Sequence, residues 1–239
     1  MTSAIVIGGV DPLTRAIAEK LRATRVGVVV EPLDIDIEAL RTRTTDRPVS
    51  VVVVVSATVT TEGADGALDS VRDAASVGAA VGARRPAPDE PALIEAVAAM
   101  LGNRSGGSLV VVGPAGGLSR GLGPNASAAA GGALIGAVRH ATATWAARGL
   151  AANLVVVGAV GAGTEAGRRR GPTESVGARA VTTTEGRSMP DHPRHPSLLG
   201  RRVEVDEVAE VVAFLGSQPA AFVNGAVIPV DGGASMGLL

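Results

Sequence analysis

The feature of this sequence that most restricts its fold is a series of short, almost uninterrupted apolar runs. They read AIVIG (4–8), VGVVVE (26–31), VSVVVVV (49–55), SLVVVG (108–113), NLVVVG (153–158) and AVIPV (226–230). Strands that are apolar at nearly every position are typical of parallel sheets with both faces covered by helices. Segments of helical or loop character separate the runs, and this alternation predicts an α/β fold with a doubly wound parallel sheet.

The spacing of apolar residues predicts helices between most of these strands. The clearest cover residues 11–22, 92–101, 127–147 and 206–215, with a weaker signal at 67–75. Only 17 residues, 32–48, separate the second run from the third. This interval has room for one helix, at 37–42, but not for a helix, a strand and a second helix of average lengths, about 11, 5 and 11 residues. The sheet is therefore predicted to be shortened after its second strand.

The composition narrows the class of protein further. A chain of 239 residues is expected to form a single domain, 1–239, in which residues 159–197 make a long loop rich in Gly, Arg, Thr and Pro. With no Cys, a net charge of −1 and no His cluster, we expect no disulfide, no metal site and no nucleic-acid binding. The absence of a signal-like start and of a 20-residue apolar run favours a cytoplasmic protein without a membrane span.

The C-terminal segment carries the strongest motif in the chain. Residues 199–233 read LGRRVEVDEVAEVVAFLGSQPAAFVNGAVIPVDGG, and shorter matches are ALIG at 133–136 and RG-x-x-x-N-x-V at 148–155. These motifs resemble those of the classical short-chain dehydrogenases/reductases. The resemblance covers the chain from its first strand to its end, apart from the shortened region, and implies a Rossmann-like fold.

The resemblance also implies where a catalytic site should lie. The family uses a Tyr and a Lys four residues apart for proton transfer, with the Lys lowering the pKa of the phenol. When the ALIG motif is placed in register, Ser127 falls at the Tyr position, Gly131 at the Lys position and Pro114 at that of the substrate-orienting Ser. The chain has no Tyr, and its one Lys is Lys20 on the first helix. We therefore expect no catalytic residues of the usual kind.

The loop after the first strand departs from the family's G-x-x-x-G-x-G pattern, whose glycines allow close approach to a pyrophosphate. In GGVDPLT, residues 8–14, Gly8 remains while Pro12 and Thr14 replace the other two glycines. Asp11 followed by Pro12 reads as a helix N-cap, which would place a carboxylate on the amides that receive a phosphate. The family's Asn-Asn-Ala-Gly becomes SATV at 56–59. No cofactor is expected in this chain.

The remaining polar residues have weaker functional interpretations. His140 is expected to be a surface or structural residue, and His192 and His195 to be solvated loop residues. The run Arg168 to Arg170 offers a partner for phosphate, acyl-CoA or an acidic carrier protein, although a solvated loop is favoured. Ser127 has only Ala, Gly and Asn neighbours in sequence, which favours helix packing over a role as nucleophile.

Residues 125–136, NASAAAGGALIG, predict an interface. In the family this helix packs on its symmetry mate, and the interpretation assigns close approach to Ala and Gly and apolar contact to Leu134, Ile135 and Val138.

The first hypothesis for the function is a catalytically inactive subunit that pairs with an active paralogue, or with itself, the paralogue holding NAD(P). Such a subunit would resemble that of 2-[hydroxy(phenyl)methyl]succinyl-CoA dehydrogenase or of a β-ketoacyl reductase pair. The alternatives are an atypical reductase, dehydratase or cyclase using Ser127, His140 or loop residues, and a small-molecule or nucleotide sensor.

Overall fold

The computed structural model describes residues 3–24, 27–45, 49–56, 59, 89–104, 106–115, 118, 125–158, 160–161, 197–199 and 201–235. Within these residues the core is a six-stranded, fully parallel sheet in the order β2-β1-β3-β4-β5-β6. The strands are β1 (Ser3–Ile7), β2 (Gly27–Glu31), β3 (Val49–Val55), β4 (Gly107–Pro114), β5 (Leu150–Val157) and β6 (Val227–Val230). The predicted Rossmann-like, doubly wound parallel sheet is confirmed.

Five α-helices connect or flank the described strands. They are α1 (Pro12–Ala23), α2 (Ile37–Thr45), α3 (Glu90–Gly102), α4 (Asn125–Trp145) and α5 (Val205–Leu215), and short 3₁₀ turns cover Ala146–Arg148 and Gln218–Ala220. Most of the predicted strands and helices match to within about two residues. The largest differences are three residues each: β5 begins three residues earlier than predicted, and α2 ends three residues later. The weak helical prediction at 67–75 lies outside the described residues.

The apolar runs are buried because helices cover both faces of the sheet. One core joins α1 and α5 to the strand residues of one face, such as Val53 and Val110. The other joins α2, α3 and α4 to residues of the opposite face, such as Val52 and Val111. Because successive strand side chains point to opposite faces, an unbroken run of valines supplies both cores at once. No helix of the described chain combines the length and apolar character needed to cross a membrane.

The described residues of the interval after β2, 32–45, hold one helix and no strand, in agreement with the prediction from its length. α2 occupies Ile37–Thr45, and the chain then enters β3. As a result β2 forms one edge of the described sheet, while β1 is paired on both sides, with β2 and with β3. The chain thus leaves β1 toward one edge and continues from β3 toward the other, which makes the β1–β3 boundary the switch point of the topology.

Asn153 connects β5 to the segment that precedes β6 through two side-chain hydrogen bonds. Its side chain is fully buried, its Nδ2 donates to the carbonyl of Val223 at 2.8 Å, and its Oδ1 accepts from the amide of Ala226 at 3.0 Å. The side chain therefore satisfies two backbone groups in the loop that leads into β6, groups that would be costly to leave unpaired. This contact fixes the family-like C-terminal segment against β5.

Candidate functional site

The crevice at the carboxyl ends of β1 and β3 is where ligands bind in folds of this topology. Gly8 follows β1, and its amide donates to the carbonyl of Glu31 at the end of β2 at 2.9 Å. Ser56 follows β3, is buried, and donates its amide to the carbonyl of Val112 in β4 at 2.9 Å. These backbone hydrogen bonds extend the sheet beyond the ends of its strands and fix the floor of the crevice.

The start of α1 is capped by an acidic side chain, as the sequence predicts. Asp11 is the N-cap and Pro12 stands in the first turn. The Thr14 amide donates to Asp11 Oδ1 at 2.9 Å, and the Thr14 hydroxyl donates to Asp11 Oδ2 at 2.7 Å. Both carboxylate oxygens are thereby bound to the first turn of α1. A negative charge already occupies the positive end of this helix, where an anionic ligand group would otherwise bind.

Thr14 also fills space above Gly8. The Thr14 side chain is almost completely buried, and a Cβ on Gly8 would lie 2.7 Å from Thr14 Oγ1 and 3.2 Å from the Cβ of Val55. Gly8 is therefore required for the packing of this turn itself. In dinucleotide-binding folds the third glycine, at the position of Thr14, allows helix and strand to pack closely. In this chain the hydroxyl and methyl groups of Thr14 lie between the helix and the strand instead.

Glu31 is a candidate site residue that the sequence interpretation did not include. It is the last residue of β2 and is 6% exposed. An acidic residue about 20 positions after the glycine loop hydrogen-bonds the ribose hydroxyls in NAD-binding Rossmann folds. In the sequence, Glu31 is the single acidic residue at the end of the second apolar run. A single acid is not recognisable as a binding residue until the end of the strand is known.

The three positions that the resemblance aligns with the family's catalytic residues lie along β4 and α4. Pro114 is buried at the carboxyl end of β4, in register with Val157 of β5. Gly131 is a buried residue of α4, and Ser127 lies one turn earlier in the same helix, although its side chain is outside the described part. A proline ring has no hydrogen-bond donor and a glycine has no side chain. Neither Pro114 nor Gly131 can therefore orient a substrate or hold a ribose.

His140 does not join Ser127 in a catalytic pair. Both lie in the continuous helix α4, 13 positions apart, which corresponds to about 20 Å along the axis at 1.5 Å per residue. A nucleophile and its general base must lie within hydrogen-bond distance of each other, about 3 Å between the two atoms. His140 is instead largely exposed, with its Nε2 3.6 Å from Glu95 Oε2 of α3. The interpretation of His140 as a surface residue agrees with this position.

The outward face of α4 corrects one prediction about the interface. Leu134 and Val138 are buried against the chain's own sheet and Ile135 is partly buried, so the first two cannot supply contacts to a partner. The exposed residues in the middle of α4 are small at first, Gly132, Ala133 and Gly136, and are followed by Arg139 and His140. A Cβ built on either glycine meets no atom within 4 Å. Helical spacing alone predicted a stripe but did not show which stripe faced the core.

A groove of about 610 Å³ lies between α5, β6 and residues 197–203, away from the β1–β3 crevice. Val211 and Ile228 contribute to its apolar wall, and Arg201 and Glu207 to its polar rim. Arg201 Nη1 donates to Glu207 Oε2 at 2.7 Å, and the pKa of Arg201 is raised because Glu207 accepts its hydrogen bonds and carries a negative charge. Glu207 also accepts from the Glu204 amide in the capping box of α5. These polar groups therefore serve the fold.

Several predicted residues fall beyond the described part of the chain. His192, His195 and Arg168 to Arg170 lie there, together with most of the 159–197 loop and residues 57–58. Within the described ranges, no three His, Asp or Glu side chains are grouped so that they could hold a metal ion.

Comparison with known families agrees with the motifs and the sheet topology. The model of the family described as enoyl-(acyl carrier protein) reductase matches residues 91–235, more than half of the chain. The chain belongs to the short-chain dehydrogenase/reductase family. The match begins in α3 and extends through β6, so it includes α4, the groove and the C-terminal motif.

Individual relatives of this family match over shorter stretches. Meso-2,3-butanediol dehydrogenase of Serratia marcescens is 65% identical over 37 residues, which cover 16% of this chain and 15% of that protein. The inactive 2-(S)-hydroxypropyl-CoM dehydrogenase 2 of Xanthobacter autotrophicus is 35% identical over 105 residues, which cover 44% of this chain and 41% of that protein. The matches thus span well under half of these curated relatives. A short-chain dehydrogenase/reductase family oxidoreductase of Burkholderia thailandensis aligns over 99% of this chain and 94% of its own, with a TM-score of 0.68 and 23% identity, and supports the fold.

Proposed function

We propose that this chain is a catalytically inactive dehydrogenase-like subunit that pairs with an active paralogue in a heteromeric dehydrogenase or ketoreductase. The observation that carries the proposal is the substitution of the catalytic positions within an otherwise family-like fold. Pro114 and Gly131 stand where the family has its serine and lysine, and the chain contains no tyrosine for the phenol. Proton transfer by the family's usual route requires that phenol, so the active partner would have to supply it.

The outward face of α3 and α4 supports a role in association. On α4 it presents Gly132, Ala133 and Gly136, and Glu95 of α3 and His140 of α4 lie beside each other at this surface. Exposed glycine in a helix interior costs about 1 kcal/mol relative to alanine. Contact with a partner helix that requires close approach of the backbones would offset that cost. We therefore assign the partner-binding surface to this face.

The substrate of the proposed pair is an acyl group carried as a thioester. The family model is described as an enoyl-(acyl carrier protein) reductase, and one relative is an inactive dehydrogenase named for a CoM substrate. The first name describes an acyl thioester, whereas a hydroxypropyl group on CoM is a thioether. The two names therefore share only a substrate attached to a carrier thiol, and the thioester rests on the first. The active paralogue would bind NAD(P) and the thioester, and this chain would stabilise the assembly or complete the substrate pocket.

Glu31 favours a second candidate function, a nucleotide sensor without catalytic activity. A buried acid at the end of β2 is compatible with contact to a ribose. Such a sensor would gain thermal stability from a nucleotide in the absence of any paralogue. The third candidate is an enzyme with relocated chemistry at Ser127, His140 or loop residues. The separation of about 20 Å along α4 disfavours only its form in which Ser127 and His140 act as a pair.

Coexpression with a Tyr- and Lys-bearing paralogue tests the proposal. We expect the tagged chain to retain the paralogue, the isolated chain to show no turnover of a 3-oxoacyl thioester with NADH or NADPH, and the complex to be active. Gly136→Arg should abolish retention without unfolding the chain, because the face is open at that position. Glu19→Arg, an exposed change on α1 across the sheet, is the matched control and should retain the paralogue. Turnover by the isolated chain, or retention of the paralogue by Gly136→Arg, would contradict the proposal.

A further inference from the structure

We infer that the turn between β1 and α1 carries its own anion, because the Asp11 carboxylate takes the place that a phosphate group takes in dinucleotide-binding folds. The turn is then complete without a nucleotide and closed to the family's NAD(P). This inference goes beyond the proposed function, because it concerns the chain alone and requires no partner.

The charge of the turn is the first support. Asp11 Oδ1 accepts the Thr14 amide at 2.9 Å, and Oδ2 accepts the Thr14 hydroxyl at 2.7 Å. The first-turn amides of a helix and its dipole are what attract a pyrophosphate in Rossmann folds. A carboxylate that already accepts one of these amides competes for the donor and repels a second anion. Pro12, which has no amide hydrogen, removes a further donor from the same turn.

The volume of the turn is the second, independent support. Thr14 is almost completely buried, and its Oγ1 lies where it would be 2.7 Å from any Cβ on Gly8. Thr14 therefore has two roles: its hydroxyl donates to Asp11, and its side chain fills the space above Gly8. Removing the carboxylate would free the Thr14 amide for a small anion. The Thr14 side chain would remain where the third glycine allows close packing of helix and strand, so the turn would stay closed to the whole dinucleotide.

The residues of this turn therefore do not fit the dinucleotide that the family implies. Glu31 is compatible with a ribose, but in this fold the pyrophosphate is bound at the helix N-terminus. The Asp11 carboxylate occupies that position, so Glu31 would have to hold the nucleotide without the phosphate contact. The inference predicts that a small inorganic anion can replace the carboxylate once the latter is removed.

Thermal denaturation of three variants with inorganic pyrophosphate tests this replacement. Asp11→Ala removes the carboxylate, and Asp11→Asn keeps an uncharged cap in case the alanine variant fails to fold. Asp89→Ala is the matched control, because Asp89 caps α3 on the other face of the sheet by accepting the Ala92 amide at 3.1 Å. Loss of either cap should lower the Tm by about 2–4 °C.

We expect millimolar pyrophosphate, compared with NaCl at equal ionic strength, to raise the Tm of both Asp11 variants but not that of the wild type or of Asp89→Ala. An equal rise in the wild type would overturn the inference, since the turn would then be open to anions. Equal rises in Asp89→Ala, or none in either Asp11 variant, would also overturn it. A failure here leaves the proposed pairing untouched, because retention of a paralogue depends on the face of α3 and α4.

Discussion

Replacing two glycines on the outward face of α4 should stabilise the isolated chain. Gly132 and Gly136 are exposed, lie one helical turn apart in the interior of α4, and have open space where a Cβ would be added. Alanine at these positions therefore creates no collision. It removes the backbone freedom that glycine has in the unfolded chain and shields the helix backbone, both of which favour the folded state.

The size of the effect follows from the helix environment. Glycine is less favourable than alanine in a helix interior by about 0.8–1.0 kcal/mol, so the double variant should gain roughly 1.6–2 kcal/mol in free energy of unfolding. The two sites share no described neighbouring atom within 4 Å of the added methyl groups, so their effects should be nearly additive. For a chain of this size, 1 kcal/mol corresponds to about 2–4 °C, which predicts a rise in Tm of about 3–8 °C.

Circular dichroism melting of the isolated chain measures this rise. Gly102→Ala is the control variant in which the same substitution should lower the Tm. A Cβ on Gly102 would lie 2.3 Å from Cε3 of Trp145, so this variant should lower the Tm through overpacking that costs about 1–3 kcal/mol. A Tm of the double variant that is unchanged or lower would refute the reasoning, because it would mean that the face of α4 is already covered in the isolated chain.

The same double variant should affect association in the opposite direction. If Gly132 and Gly136 allow close approach of a partner helix, two added methyl groups should weaken retention of the paralogue while they stabilise the chain itself. A double variant that melts higher and binds the paralogue unchanged would show that these glycines do not serve the interface. The two readouts together separate helix stability from partner contact, which neither does alone.

Two further predictions concern contacts that hold the C-terminal segment. Asn153→Ala should cost about 1–3 kcal/mol, because it removes the hydrogen-bond partner of two partly buried backbone groups. Urea denaturation followed by the fluorescence of Trp145, the single tryptophan, measures the loss. The exposed Asn103→Ala should stay within about 0.5 kcal/mol of the wild type. Glu207→Ala should cost about 1 kcal/mol in the same assay, because α5 loses its capping box, and Glu207→Gln should cost less than half of that. Equal losses in the two Glu207 variants would assign the effect to charge.

The strands and the shortened sheet could be predicted because they depend on local pattern and on chain length. Runs such as 49–55 are apolar at nearly every position, and only a strand covered on both faces buries all of them. The interval 32–48 is too short for an additional strand and its helix, so β2 had to end the described sheet. The cap of α1 was equally local, since Asp11 and Pro12 are adjacent in sequence.

The orientation of α4 and the contacts of the crevice could not be predicted in the same way. The periodicity that contains Leu134 and Val138 identifies a stripe, but the choice between core and partner depends on where the sheet lies. The contact between Gly8 and Thr14 depends on the angle at which α1 leaves β1. Glu31 became a candidate only when its position at the end of β2 was known. Each of these features depends on tertiary structure.

The residues that the resemblance aligns with the family's catalytic and cofactor-binding groups make contacts within the chain itself. Asp11 caps α1, Thr14 packs on Gly8, and Pro114 is buried at the end of β4. In an active family member the groups at these positions are available to ligands, and a ligand binding to the folded state adds to its stability. In this chain the corresponding contacts are intramolecular. The stability of the isolated chain should therefore be independent of nucleotide. Under the proposed pairing, the folded chain should be able to bind a paralogue before any cofactor is present.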